Sequence, residues 1–200
     1  DKINSVIWTT LDSLPILPTA IANAPKIKNY WIWSSFATKA LNEMGHKHVK
    51  TVHGCIESRH FFRLPEEERL DLRKQNNIED EAFVIGFVFR NQLRKSVPNL
   101  LEGYALWKKE NKPVHKTYLL FHTYWKEGWG IHKIAKEYGI DPEEILTTYV
   151  CGKCSKYQVK KYSGEGQNCS WCGGEKSQVT TNVGHGVREN QLNEDRKSVV

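Results

Sequence analysis

The stretch Ala-Phe-Val-Ile-Gly-Phe-Val-Phe at residues 82–89 is followed directly by Arg-Asn-Gln-Leu-Arg-Lys-Ser at residues 90–96. Eight apolar residues with no alternation of polar side chains predict a strand that is buried on both faces, as in a parallel sheet. Pro98 then opens a helical pattern, since proline is favoured in the first turn of a helix. A strand, a polar loop and a helix in this order are typical of a parallel α/β domain.

The chain after this stretch continues to alternate between strands and helices. Apolar runs at residues 117–121 and 178–183 predict the second and third strands, and a periodic pattern over residues 131–138 predicts a helix between them. A further helix is expected near the C-terminus. We therefore predict a parallel sheet with covering helices, formed by residues 82–148 and residues 178–200.

The chain before this stretch predicts a second α/β unit. Short strands are expected at residues 6–8, 30–33 and 48–52, with a helix between the second and the third. These elements place an α/β unit at residues 1–56. The charged residues 57–81 predict a linker that contains one solvated helix.

The 200 residues have a composition close to that of ordinary globular proteins, with 39% hydrophobic and 26% charged residues. The sequence contains no run of about 18 apolar residues, which a membrane-spanning helix would need, and no leader of the secretory type. We therefore expect a cytoplasmic protein, with peripheral contact to a membrane surface as the alternative. The formal net charge of +6 permits an anionic ligand such as a phosphate, a nucleotide, nucleic acid or an acidic lipid, without choosing among them.

Four of the five cysteines form two C-x-x-C pairs within residues 149–177, namely Cys151 with Cys154 and Cys169 with Cys172. Two such pairs in a chain with no export signal favour a metal site over disulfides. Four thiolates can surround one zinc ion tetrahedrally and leave no open position for catalysis, so the predicted zinc is structural. A redox dithiol is the alternative. The isolated Cys55 is interpreted as a small apolar filler.

The predicted zinc ribbon over residues 149–177 carries many basic and aromatic side chains. They are Lys153, Lys156, Lys160, Lys161 and Lys176, with Tyr157, Tyr162 and Trp171. Basic and aromatic residues together can bind single-stranded nucleic acid. The simpler interpretation is a solubilising surface on a module with a very small core.

A distinctive turn follows the predicted strand at residues 48–52. A strand, a serine and a helix precede that strand, and the residues of the turn are His53, Gly54, Ile56, Glu57 and Phe61. This arrangement resembles a hallmark of retaining GT-B glycosyltransferases of the group-1, family-4 type. In that family it closes the N-terminal, acceptor-binding Rossmann-like domain, and a linker then leads to the donor-binding Rossmann-like domain.

The strand at residues 82–89 and its loop are similar to the start of the family's donor-binding domain. The five-residue step from Arg90 to Lys95 matches the Arg and Lys of the family's diphosphate-binding loop. The resemblance therefore implies that both side chains bind the donor diphosphate. The sequence departs from the family at Phe89 and Ser96, where glycines are usual.

The resemblance extends to further binding residues. Val183, Gly184 and Val187 are similar to the loop that packs on the nucleotide base in the family. His53, and less strongly His122, are candidates for ligand contact because they end predicted strands. A structural role is the simpler interpretation of both histidines.

The resemblance implies transfer of a sugar from a nucleotide-diphosphate sugar to a glycan, lipid or protein acceptor, with retention at the anomeric carbon. Two cations on one loop can neutralise the departing diphosphate, so no catalytic metal is expected. The family's paired catalytic glutamates would lie beyond Val200 and its glycine-rich loop before Asp1, so we expect this stretch alone to be inactive. The alternatives are a non-enzymatic zinc-ribbon protein that binds nucleic acid and a degenerate protein-binding scaffold.

Overall fold

The computed structural model describes residues 4–182 and 184–188. The chain divides into two units, Asp1–Glu57 and Ser58–Val200. Both units contain helices and sheets dominated by parallel strands, so the predicted α/β class is confirmed. None of the described helices combines the length and the apolar character that a bilayer-spanning segment requires.

The first unit is built on a three-stranded parallel sheet in the order β1, β2, β3. The strands β1 (Ile7–Thr9), β2 (Tyr30–Ile32) and β3 (Lys50–Thr51) lie close to the apolar runs that predict them. Helix α1 (Pro18–Asn23) follows the first strand, and helix α2 (Ser35–Glu43) follows the second. Each parallel connection therefore contains a helix, as such connections usually do.

Strand β2 and helix α2 supply much of the core of the first unit. Ile32 on β2 and both Ala37 and Leu41 on α2 are fully buried in one cluster. A spacing of four residues places Ala37 and Leu41 on the same helix face. Gly45 follows α2 with φ of +99°, a left-handed conformation that glycine adopts at low cost where a helix ends.

The second unit contains three helices and five strands among the described residues. In chain order they are α3 (Glu66–Gln75), β4 (Phe83–Val88), α4 (Val97–Asn111), β5 (Thr117–His122), α5 (Ile131–Glu137), β6 (Ile145–Cys151), β7 (Tyr157–Lys161) and β8 (Gln178–Thr180). The sheet order is β4, β5, β6, β7, and β8 also pairs with β6. Strands β4, β5 and β6 are parallel, whereas β7 and β8 run antiparallel to β6. The helix predicted near the C-terminus lies outside the described residues.

Strand β6 is the third parallel strand, in place of the one predicted at residues 178–183. The strand found in that later stretch is β8, which pairs antiparallel with the last three residues of β6. Threonines interrupt the apolar run of β6, but their hydroxyls are satisfied inside the sheet. Thr147 Oγ1 donates to the carbonyl oxygen of Phe121 at 2.7 Å and accepts from Trp125 Nε1 at 2.8 Å. Because a hydrogen-bonded hydroxyl can be buried at little cost, these threonines are compatible with the central position of β6 in the sheet.

Strand β4 is less buried than its apolar sequence predicts. The prediction of a strand covered on both faces is wrong for β4, because β4 lies at the edge of the described sheet and Phe83 is 54% exposed. The strands that are buried along their whole length are β5 and β6. Their central position in the sheet, more than their own hydrophobicity, decides that both faces are covered.

Two layers of side chains cover the two faces of this sheet. On one face, Leu119 and Phe121 of β5 pack in a cluster with Val97 and Leu101 of α4 and with residues of α5. On the other face, Leu120 of β5 packs in a cluster with residues of β4, β6 and β7. Successive side chains of β5 alternate between these layers, as the pleat of a strand requires.

Arg73 connects the end of α3 to the start of β4. Its side chain is buried, and Nη1 donates hydrogen bonds of 2.8 to 3.2 Å to the carbonyl oxygens of Glu79, Asp80 and Ala82. Burial lowers the pKa of Arg73 from its ordinary value, although a guanidinium keeps its charge at neutral pH. One side chain thus satisfies the backbone of the turn that leads into β4.

We predict that Arg73→Ala lowers the free energy of unfolding of the second unit by about 3 kcal/mol, because three buried or part-buried carbonyl oxygens lose their donor. Arg73→Lys restores little of this stability, since the lysine side chain is one atom shorter than the arginine side chain at Nη1 and its ammonium does not reach all three carbonyl oxygens. Lys74→Ala is the control, because Lys74 is exposed on the same helix and should change stability by less than about 0.5 kcal/mol. Urea unfolding followed by circular dichroism measures these differences, and equal midpoints for Arg73→Ala and Lys74→Ala would contradict the assignment.

Candidate functional site

The four paired cysteines meet beyond the carboxyl end of β6. Cys151 is the last residue of β6, and Cys154 lies in the turn before β7. The other pair lies in a second turn, and all four sulfur atoms lie within 4.8 Å of one another. Cys151 Sγ is 3.7 Å from Cys172 Sγ, and Cys154 Sγ is 3.8 Å from Cys169 Sγ. Thiolates about 2.3 Å from a tetrahedral ion are about 3.8 Å apart, so these cysteines are positioned to bind a metal ion.

Hydrogen bonds around Cys151 favour its thiolate. Ser177 Oγ lies 3.2 Å from Cys151 Sγ, and the backbone N–H groups of Lys153 and Cys154 donate to the same sulfur at 3.4 Å. The hydrogen bond with Ser177, followed by those from the backbone, lowers the pKa of Cys151 to about 6. The thiolate is the form of cysteine that binds a metal ion, so the surroundings of Cys151 suit that role at neutral pH. Burial and the other three cysteine sulfurs raise the pKa of Cys154 to about 11, so its thiolate needs the charge of a bound cation.

The cysteine-rich segment is continuous with the main sheet. Strand β7 lies between the two cysteine pairs and pairs with β6 over five residue pairs. Beyond β7, the ring of Tyr162 stacks on that of Trp125 with centroids 3.9 Å apart and planes 4° apart. The predicted ribbon at residues 149–177 therefore shares backbone pairing and packing with the α/β sheet.

We predict that one zinc ion per chain copurifies with the protein and that Cys169→Ser removes most of it, because three thiolates complete no tetrahedral site. Cys55→Ser is the matched control. Cys55 is exposed and lies outside the cluster, so its interpretation as an apolar filler is wrong. Chelation should also raise hydrogen exchange in β7, since β7 joins the two cysteine pairs. Elemental analysis and hydrogen exchange measure both effects; equal zinc in the two variants would rule the site out.

A cleft of about 300 Å³ lies at the carboxyl ends of β4 and β5. Val88, the last residue of β4, and His122, the last residue of β5, line its base, and residues after β8 form another wall. Thr181 on that wall is buried, and its Oγ1 has no hydrogen-bond partner among the described residues. Open α/β sheets bind ligands at this edge, where the parallel strands end.

Arg90 lines this cleft and is paired with Glu127. Arg90 Nε donates to Glu127 Oε2 at 3.1 Å, and Nη2 donates to Oε1 at 3.4 Å. The pair is solvent-exposed, so its contribution to stability is small. A guanidinium held by one exposed carboxylate can exchange that partner for another anion at low cost.

Asn91 braces the loop that carries Glu127. Its buried side chain donates to the carbonyl oxygens of Glu127 and Trp129, and its Oδ1 accepts from the backbone N–H of Trp129 at 3.1 Å. Gly128, between them, has φ of +60°, and a Cβ at that position would overlap the carbonyl oxygen of Asn91. None of these residues was predicted from the sequence, although the two glycines of Glu-Gly-Trp-Gly at residues 127–130, in the loop after β5, were an available turn signal.

Lys95 lies on the loop that follows Arg90 but does not line the cleft. It is the last residue of a 3-10 turn, Leu93–Lys95, and is half-buried. Ser96, which follows it, has φ of +48° in the left-handed region. Glycine favours that conformation, and glycine is what the resembled family has at this position.

The residues predicted to pack on the nucleotide base differ in their position relative to the cleft. Val187 lines the cleft, whereas Gly184 does not. Val183 lies outside the described residues.

The two candidate histidines differ in their surroundings. His53 is exposed in the first unit, and its Nδ1 lies 2.8 Å from the carbonyl oxygen of Trp33. His122 is buried in the second unit, lines the cleft and has its Nδ1 3.2 Å from Thr148 Oγ1. The structure thus brings His122, which the sequence favours less, to the cleft beside Arg90.

Comparison with known proteins adds no family to these observations. No protein-family model matches the chain, and no curated protein matches it. The functional interpretation therefore depends on the residues and on their geometry.

Proposed function

We propose that this chain belongs to a retaining GT-B glycosyltransferase that uses a nucleotide-diphosphate sugar, with the donor held by the second unit. The observation that carries the proposal is the position of Arg90, at a cleft on the carboxyl edge of a parallel sheet. In such sheets this edge is where phosphate-containing ligands bind. The residues from β4 through Lys95 are also those that resemble the family's diphosphate-binding loop.

The cleft has properties that suit a nucleotide. Its volume of about 300 Å³ is at the lower end of the range for small-molecule sites. Phe89 and Val187 supply apolar wall, and Arg90 supplies a cationic group at the same cleft. An apolar wall with a charged group placed on it is typical of small-molecule sites.

In the proposed reaction, Arg90 exchanges Glu127 for the donor diphosphate. Its planar fork can bind two phosphate oxygens at once, and its attraction increases as negative charge develops on the departing diphosphate. Lys95 would add a second cation if the 3-10 turn moved toward the cleft. Asn91 acts as a positioning residue, because it holds the loop that presents Glu127.

The metal at the four cysteines has a structural role in this proposal. Zinc suits four thiolates in a tetrahedron, and such a site has no position free for substrate. Zinc there would hold the two cysteine turns against the carboxyl end of β6, next to the loops that build the cleft.

We predict that a nucleoside diphosphate raises the melting temperature of the chain and that Arg90→Ala weakens its binding by about tenfold to a hundredfold. Arg90→Lys should recover only part of the affinity. Arg94→Ala is the matched control, because Arg94 is exposed on the same loop and does not line the cleft. Calorimetric titration with UDP, GDP and ADP measures the affinities. Absence of binding by all three, or equal losses in Arg90→Ala and Arg94→Ala, would overturn the proposed function.

We predict the opposite change for Glu127→Gln, which should bind the same diphosphate several-fold more tightly. The amide removes the carboxylate that competes with the diphosphate for Arg90, and the backbone contacts of Asn91 stay in place. Glu137→Gln is the control, because Glu137 is exposed at the end of α5 and does not line the cleft. Weaker binding by Glu127→Gln in the same calorimetric titration would show that Glu127 does not oppose the ligand.

A second candidate function is binding of single-stranded nucleic acid by the cysteine turns. Trp171 is 56% exposed, and Lys156 Nζ lies 4.6 Å from its ring centroid. An exposed aromatic ring beside a cation suits base stacking near a phosphate backbone. Strongly salt-dependent oligonucleotide binding that is lost in Trp171→Ala, without nucleoside diphosphate binding, would favour this function over glycosyl transfer.

A further inference from the structure

A second depression, the ribbon recess, lies between the cysteine turns and the loops that follow β5 and β8. It has a volume of about 560 Å³, and four basic side chains line it. Lys126 comes from the loop after β5, Lys153 from the first cysteine turn, Lys176 from the chain before β8, and His185 from the chain after it. Segments far apart in the sequence therefore bring three lysine ammonium groups and one imidazole to one place.

The two acidic residues that line the ribbon recess, Glu165 and Glu175, are not paired with its lysines. Glu165 Oε2 accepts from the backbone N–H of Thr180 at 2.8 Å, and Oε1 accepts from the hydroxyl of the same residue. Glu175 is exposed at the rim. The three lysines have no ion-pair partner within residues 4–182 and 184–188. The recess thus has ammonium groups available to an anion.

The chain after β8 is held against the first cysteine turn. Asn182 Oδ1 accepts from the backbone N–H groups of Gly184 and His185, at 2.9 and 3.0 Å. His185 then lies over Gly152, where a Cβ would come within 3.2 Å of His185 Nε2. A side chain at position 152 would therefore displace the imidazole of His185 by a few tenths of an ångström, and this contact closes one side of the recess.

The ribbon recess and the donor cleft are neighbours. Tyr124 and Asn182 line both of them. The part of a bound ligand that extends out of the cleft would therefore pass Tyr124 and approach Lys126 and Lys153. The cysteine turns supply part of the wall of a continuous surface that starts at Arg90.

We propose that the ribbon recess binds an anionic group, a phosphate or a carboxylate, of a sugar substrate. Lys126 and Lys153 make the principal contacts, and Lys176 and His185 complete the wall. The placement of this anion on a substrate of glycosyl transfer rests on the proposed function, whereas the anion site itself does not. The cysteine turns therefore take part in substrate selection.

The test uses glucose 6-phosphate, glucuronate and glucose as probes, followed by nuclear magnetic resonance on the ¹⁵N-labelled chain with its metal bound. The two anions should shift the amide signals of Gly152, Lys153 and Ser177 saturably, with a Kd on the order of 1 mM, whereas glucose should not. Lys126→Gln and Lys153→Gln should each weaken binding by about tenfold. Lys109→Gln, at an exposed position on α4, is the matched control. Lys126 lies outside the cysteine turns, so its variant reports on binding even if Lys153→Gln disturbs the metal.

Unchanged affinity in both Lys126→Gln and Lys153→Gln, or equal shifts with glucose, would overturn the proposal. Failure of the proposed function has a different signature, since nucleoside diphosphates would then leave the signals of Val88 and Arg90 unshifted while glucose 6-phosphate still bound. Two further probes show whether the anion belongs to the donor sugar or to an acceptor. They are the nucleoside diphosphate that binds, joined to a uronate in one probe and to a neutral hexose in the other. If only the uronate conjugate displaces glucose 6-phosphate, the recess binds the donor sugar. If glucose 6-phosphate stays bound in the presence of either conjugate, the recess binds an acceptor.

Discussion

The hydrogen bonding of strand β6 along both of its edges is the constraint on which the second unit depends. One edge of β6 pairs parallel with β5 and then, at its last three residues, antiparallel with β8, while the other edge pairs with β7. Its last residue, Cys151, belongs to the cysteine cluster. A single strand therefore joins the parallel α/β sheet to the cysteine turns.

This arrangement gathers the functional elements at one edge of the sheet. Because β4, β5 and β6 are parallel, their carboxyl ends lie side by side. Arg90 follows β4, the loop with Glu127 follows β5, and the first cysteine turn follows β6. The cleft beside Arg90 and the ribbon recess are consecutive parts of that edge, and Tyr124 lines both of them. The position of the cysteine turns is thus explained by the topology of the strands.

The loops at this edge combine an exposed ion pair with a set of buried hydrogen bonds. The Arg90–Glu127 pair is exposed and exchangeable, whereas Asn91 is buried and makes three hydrogen bonds to the neighbouring loop. Buried, satisfied polar groups hold a fixed geometry, and exposed ion pairs rearrange readily. The structure therefore fixes the loop backbone while it leaves the charged groups free to change partners.

Local sequence predicted the features that depend on neighbouring residues. Helices α2 and α3, the apolar strands and the grouping of the four cysteines follow from periodicity, charge at a helix N-terminus and ligand spacing, which act over a few residues. The burial of β4 was predicted wrongly, because hydrophobicity does not reveal whether a strand lies at the centre or the edge of a sheet. Contacts such as Asn91 with Trp129 were not predictable for the same reason, since they join residues 38 positions apart.

Residue types and their spacing predict the α/β class, the four cysteines that are positioned to bind a metal ion, and the basic loop from Arg90 to Lys95. The three-dimensional structure was needed to show that β6 is the third parallel strand, that Glu127 is the partner of Arg90, and that His122 lines the cleft while His53 lies in the other unit. The physical reason is that propensity and spacing are properties of short segments. Pairing order, burial and the meeting of charges depend on which segments the whole chain brings together.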